Sequence, residues 1–154
     1  MTKRVAFVTG GNGGIGSAIC CELATQGHVV VAGYFPPEKE SAEAWQKEMH
    51  DKGFSIGLEP VDVASFADCE RAVATISEEF GSIDILVNCA GITRDGTLKK
   101  MPEDNWRAVI ATNMDSAFNV TRHVINGMLD KGWGRIVNIA SVNGQRGQFG
   151  QANY

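Results

Sequence analysis

The sequence has little that marks a secreted, membrane-bound or nucleic-acid-binding chain. A cationic excess is missing: 14 Lys and Arg against 18 Asp and Glu leave a net charge of −4, so no broad positive surface is available for a polyanion. Long apolar runs are missing too. Met1-Thr2-Lys3-Arg4 leads into only the short run Val5-Ala6-Phe7-Val8, well under the ~7–15 residues of a signal-peptide core, and nothing approaches the ~20 that a bilayer demands. These absences predict a soluble, cytoplasmic protein. Cysteine is sparse. Cys20, Cys21, Cys69 and Cys89 make no Cys-x-x-Cys pair and lie at no metal-ligand spacing from His28, His50 or His123, which predicts reduced thiols and no metal site. No repeat, linker or low-complexity block divides the chain, so residues 1–154 are read as a single domain. What is abundant is glycine: 18 of 154 residues against a typical ~7%, and they cluster.

Apolar periodicity sets out the elements. Val5 to Val8 is continuous rather than alternating, as in a strand buried on both faces of a parallel sheet. Ile15, Ile19 and Leu23 then recur at helical spacing, with Gly27 placed for a left-handed cap, and Val29 to Ala32 supplies a second strand. Pro36-Pro37 breaks the chain before a charged surface helix, Glu38 to Lys52, with Trp45 and Met49 on one face. A third strand is predicted over Phe54–Glu59. Ser65-x-x-Asp68 starts a helix through Val73, Ile76 and Phe80 that Gly81 stops, and Ile83 to Val87 forms strand four. Pro102 opens a helical stripe from Trp106 to Ile125, broken near Asn113, and Arg135 to Ala140 is strand five. The stretch Ser141–Tyr154 has no periodicity. Strands alternating with helices imply an α/β fold, a doubly wound parallel (Rossmann-like) sheet, whose ligands bind at the C-terminal ends of the strands.

The chemistry-bearing residues fall at those ends. Glycines at 10, 11, 13, 14 and 16 lie between the first strand and helix, where missing Cβ atoms let a pyrophosphate reach the backbone and face the positive end of the helix dipole. Nucleotide binding is the reading that this context favours. Taken singly, Asn113 could be a polar group at a helix kink, Ser141 a loop hydroxyl and Asp62 a helix cap; their joint order points further.

The order resembles that of the short-chain dehydrogenase/reductases. Thr9-Gly10-x-x-x-Gly14-Ile15-Gly16 matches the family's cofactor turn, Asn88-Cys89-Ala90-Gly91 looks like its Asn-Asn-Ala-Gly motif with Cys for the second Asn, and Asp62-Val63 matches the pair beside the adenine. The resemblance implies cofactor contacts at Gly10, Asn12, Gly13, Gly14, Ile15, Gly16, Asp62, Val63, Asn88, Cys89, Ala90, Gly91, Ile92 and Thr93. It implies catalytic roles for Asn113, Ser141 and Tyr154: the tyrosine as proton donor, the serine holding the carbonyl oxygen. A free tyrosine titrates near ~10, so the family places a Lys four residues beyond it, past Tyr154 here. By the same resemblance the last two strands and their helices are missing, so the chain is expected to be the front part of a longer enzyme, inactive alone. A non-catalytic nucleotide-binding module is the reading from another class.

Within the family, Ser141 to Tyr154 resembles the loop of members that reduce acetoacetyl-CoA to 3-hydroxybutyryl-CoA for polyhydroxybutyrate synthesis, and Gly91-Ile92-Thr93-Arg94-Asp95 fits with it. That implies an acyl-CoA substrate pocket lined by Asp95, Gln148, Phe149, Gly150 and Gln151. Sister members acting on 3-oxoacyl groups of acyl-carrier protein share similar endings and are the alternative. Gly33-Tyr34-Phe35 offers no acid for a ribose 2′-hydroxyl and Lys39 follows, which predicts NADP(H) over NAD(H). The resemblance also implies a homotetramer at full length and no nucleic-acid or membrane partner.

Overall fold

The computed structural model describes residues 3–154; Met1 and Thr2, part of the stretch read for a signal peptide, lie outside the described residues. Five strands, β1 (Val5–Val8), β2 (Val29–Tyr34), β3 (Ile56–Pro60), β4 (Ile85–Asn88) and β5 (Arg135–Asn138), pair in the order β3-β2-β1-β4-β5. Every pairing is parallel. The crossovers carry α1 (Gly14–Thr25), α2 (Lys39–Asp51), α3 (Phe66–Phe80), and a long segment composed of α4 (Glu103–Ile110), a π-turn (Ala111–Asp115) and α5 (Ser116–Asp130). This is the doubly wound parallel α/β sheet that the alternation predicted. Chain order reverses between β1 and β4, and that reversal opens a crevice above their C-terminal ends.

The continuity of the apolar runs explains the two cores. Along β1, Val5 and Phe7 join Val73, Ile76, Leu86, Val120 and Val124 beneath α3 and α5, while Ala6 and Val8 join Val30, Cys20, Met49 and Val87 beneath α1 and α2. A strand sandwiched in this way needs apolar side chains at every position. Fully burying a ring such as Phe7 is worth about 1.5–3 kcal/mol, and Phe7 is completely buried.

Element ends follow local chemistry. Gly27 and Gly81 take the positive φ angles expected of left-handed stops. Ser65 caps α3 by accepting the Asp68 amide at 3.3 Å, as its spacing predicted. The break expected near Asn113 is the π-turn. Two differences stand out. β4 begins two residues late, because Asp84 turns its carboxylate onto the Val5 amide at 3.0 Å, and the stretch read as aperiodic contains a short helix, α6 (Val142–Arg146), capped by Ser141. Strand β5 is exposed at all four residues.

Candidate active site

The crevice above β1 and β4 is a cleft of about 1060 Å³. Its floor is the glycine turn between β1 and α1. Gly10 has φ +63°, and a Cβ there would lie 3.0 Å from the Ala90 Cα; a Cβ on Gly16 would lie 2.2 Å from the Gly10 carbonyl oxygen. Only glycine fits at either place. Gly14 faces open space and begins α1, so unpaired amides of the first helical turn look into the cleft. The turn is tied to the neighbouring strand by Thr9, whose buried Oγ1 accepts the amides of Cys89 at 3.0 Å and Ala90 at 3.1 Å.

Three side chains from distant segments meet in this cleft: Asn113 from the π-turn, Ser141 after β5 and Tyr154. Asn113 is occupied with holding the loop after β4, since its Oδ1 accepts the Ile92 amide at 2.8 Å and its Nδ2 donates to the Ile92 carbonyl at 2.9 Å. A π-turn widens the helix by one residue per bonded ring and brings this carboxamide level with Ile92. The Ser141 hydroxyl accepts the Asn143 amide at 3.2 Å as the cap of α6, an arrangement that leaves its proton free to be donated.

Of the residues expected to contact a cofactor, Gly10, Asn12, Gly13, Gly14, Ile15, Gly16, Cys89, Ala90, Gly91, Ile92 and Thr93 line the cleft. Lys39 is not brought there: it begins α2 and turns outward to Glu43 at 3.7 Å, and the neighbouring Glu38 lines the cleft instead. Asn88 lies beneath the lining, where its Nδ2 donates to Asn138 Oδ1 at 2.8 Å and to Thr121 Oγ1 at 3.4 Å, bracing β4 against β5 and α5. Asp62 and Val63 also lie outside it. Asp62 closes a turn by accepting the Ala64 amide at 3.0 Å, and Val63 is core, its carbonyl held by Asn119. Burial pushes the Cys89 thiol above its ordinary range, and the Cys20 thiol behind the glycine turn is pushed up to about 12 by the same cause. Both stay protonated at neutral pH.

The expected acyl-pocket residues form a strap at the rim rather than part of the cleft lining. Gln151 donates to both carboxylate oxygens of Asp95 at 3.1 and 3.2 Å, the Gly96 amide donates to the Gly150 carbonyl at 2.8 Å, and Phe149 is 88% exposed. The sequence could not show this pairing, since its partners lie more than 50 residues apart. It also gave no sign that Glu38, Asn138 and Gln145 line the cleft; the bend at Pro36-Pro37 and the path of the chain after β5 place them there. Among the described residues no group of three or more His, Cys, Asp or Glu is placed to hold a metal, and no helix is long and apolar enough to cross a membrane.

A glycine-floored cleft at the switch point of a parallel sheet, with a serine and a tyrosine on its wall, is the class of fold and site in which α/β sheets bind nucleotides. Residues 4–154 match the short chain dehydrogenase family model, and the chain belongs to that family. It is 58% identical over 151 residues to an acetoacetyl-CoA reductase of Allochromatium vinosum, covering 98% of this chain and 61% of the relative. Identity is 51% over 154 residues with an acetoacetyl-CoA reductase of Cupriavidus necator, all of this chain and 62% of that one. A 3-oxoacyl-(acyl-carrier-protein) reductase of Haemophilus influenzae is 41% identical over 154 residues, again all of this chain and 62% of the relative. Among solved structures, a gluconate 5-dehydrogenase of Burkholderia cenocepacia in complex with NADP and tartrate superposes with a TM-score of 0.89 at 34% identity, over all of this chain and 60% of the other. The chain thus spans about three fifths of the length of these relatives.

Proposed function

We propose that the full-length protein reduces acetoacetyl-CoA to 3-hydroxybutyryl-CoA with NADPH, the reductive step that supplies the monomer of polyhydroxybutyrate. The observation that carries this reading is the gap between 58% identity to an acetoacetyl-CoA reductase and 41% to a carrier-protein reductase. NADP is favoured by the lack of an acid at Gly33-Tyr34-Phe35. It is also the dinucleotide held by the Burkholderia relative.

The cradle fits the group. Gly10, Gly13, Gly14 and Gly16 leave the turn bare for a pyrophosphate, and the loop from Cys89 to Thr93 forms the wall along which the rest of the dinucleotide would lie. When bound, NADPH supplies the hydride that the ketone carbon accepts. Tyr154 donates its phenolic proton to the ketone oxygen as the C=O π pair moves onto it, so carbon gains the hydride and oxygen the proton. Ser141 donates a hydrogen bond to the same oxygen and holds it within reach of the tyrosine. Asn113 keeps Ile92 in place where the cofactor would lie. Asp95, Gln148, Phe149, Gly150 and Gln151 form the strap over which the acyl group enters. Catalysis in a homotetramer and a cytoplasmic setting belong to the same reading.

A second reading, reduction of 3-oxoacyl groups on acyl-carrier protein, is favoured by the 41% identity that extends along the entire chain. The full-length enzyme assayed with NADPH on acetoacetyl-CoA and on acetoacetyl-carrier protein separates the two. Higher kcat/KM on the CoA ester is the expected outcome, and preference for the carrier protein reverses the assignment.

A further inference from the structure

The residue that precedes Tyr154 is folded inward while its neighbours face out. Asn153 is 5% exposed, Tyr154 37%. Its Nδ2 donates to the Arg94 carbonyl at 2.9 Å and to the Asn105 carbonyl at 3.3 Å. One amide nitrogen therefore joins three segments: the loop after β4, the first turn of α4, and the chain entering Tyr154. Around it, the Gly96–Gly150 bond, between two half-buried residues, and the exposed Asp95–Gln151 bonds run between the same two stretches. Asn153 is the most buried residue of this group, and a hydrogen bond shielded from water holds its geometry more firmly than one exposed to it.

The chemistry of the group is specific. Two carbonyl oxygens face the side chain, so it must offer two N–H donors from one atom and carry no negative charge. Asp would set a carboxylate against both oxygens, and Ser could satisfy only one. Asn153 Oδ1 is buried without a donor among the described residues, which costs free energy that an apolar side chain of equal volume would not incur. What the amide contributes is directional: it fixes where Tyr154 leaves the core relative to the β4 loop.

We propose that Asn153 is a positioning residue for Tyr154, acting through the carbonyls of Arg94 and Asn105 to hold the phenol at its working place in the cleft. The inference rests on the reading of Tyr154 as the proton donor. Displacing a reacting group by about 1 Å can cost on the order of 100-fold in rate.

The test uses the full-length enzyme with Asn153→Ala and Asn153→Ser. The Ala variant is expected to lose on the order of 10–100-fold in kcat and Ser less, since Ser keeps one donor, with KM for acetoacetyl-CoA and the Kd for NADPH within about threefold of wild type. Because the rim bonds depend on the buried anchor, amide exchange at Gly96 is expected to accelerate in both variants, a readout independent of any substrate. Wild-type kcat in a folded Ala variant, a loss confined to KM, or unchanged Gly96 exchange overturns the proposal. So does a Ser variant as slow as Ala, and so does unfolding of both variants, which would make the residue merely structural. A wild-type enzyme that binds NADPH but leaves acetoacetyl-CoA unreduced would instead count against the proposed substrate, and the kcat of the variants would then be read on the 3-oxoacyl-carrier-protein substrate, with Gly96 exchange beside it.

Discussion

Asn113 grips the backbone of Ile92 at both ends of its carboxamide, accepting at 2.8 Å and donating at 2.9 Å across 21 residues of sequence. The grip couples the π-turn to the wall of the cleft. Asn113→Asp keeps the shape but sets a charge against the Ile92 carbonyl, and it is expected to weaken NADPH binding on the order of 10-fold, the equivalent of one charged hydrogen bond lost. Fluorescence titration of the full-length variant checks it; an unchanged Kd would mean that Ile92 does not touch the dinucleotide.

Gly16 tests the cradle itself. A Cβ there would meet the Gly10 carbonyl oxygen at 2.2 Å, and backbone oxygen cannot yield without moving the turn. Gly16→Ala is expected to abolish measurable dinucleotide binding in calorimetry and to destabilise the fold by about 1–3 kcal/mol through overpacking. Binding at wild-type affinity would remove the turn from the cofactor site.

Glu38 places a carboxylate on the cleft where a cation was expected. Glu38→Gln is predicted to tighten NADPH by about 5-fold, roughly 1 kcal/mol for relief of charge repulsion at a solvated site, and to leave NADH within twofold. Raising the salt concentration should shrink the difference between Glu and Gln. Equal NADPH constants for both forms would place the 2′-phosphate elsewhere.

Asp84 gives a pH signature remote from the cleft. Burial alone would raise its carboxyl, but Lys131 at 2.8 Å, the Val5 amide at 3.0 Å and Arg4 at 3.6 Å outweigh this and hold it below the ordinary aspartate value. A carboxyl depressed by folding stabilises the native state above its unfolded pKa, near ~3.9, and the contribution is lost as pH falls through the folded value. Asp84→Asn is therefore expected to cost about 1–3 kcal/mol at neutral pH, less if solvent screens the partly exposed Lys131. Urea unfolding as a function of pH should show the two proteins converging below about pH 4. A constant difference down to pH 3 would contradict the linkage.

Much of the architecture was legible because the sheet is buried on both faces, a condition that dictates uninterrupted apolar runs such as Val5–Val8 and Val29–Ala32. The glycine turn could also be read directly, because missing side chains at 10, 13, 14 and 16 serve one local purpose. Asn113, Ser141 and Tyr154 were singled out by their order along the chain, and all three line the cleft. Lys39 is turned away for a local reason: after the bend at Pro36-Pro37, Glu38 lines the cleft while Lys39, the first residue of α2, reaches Glu43, and periodicity did not tell which of the two neighbours faces the cleft.

By itself, the sequence determined what is set within a few residues or by a simple repeat: the strands, the cradle, the break at Asn113, the caps at Ser65 and Gly81. Tertiary structure alone decided what each buried or clasped polar side chain holds. Asn88 braces β5, Asn113 holds Ile92, Gln151 clasps Asp95 and Asn153 reaches two carbonyls. A carboxamide or carboxylate has the same composition whatever it holds. Its partner is chosen by where the sheet brings chain segments 21 to 59 residues apart into hydrogen-bond distance, and hydrogen bonds act only at that range.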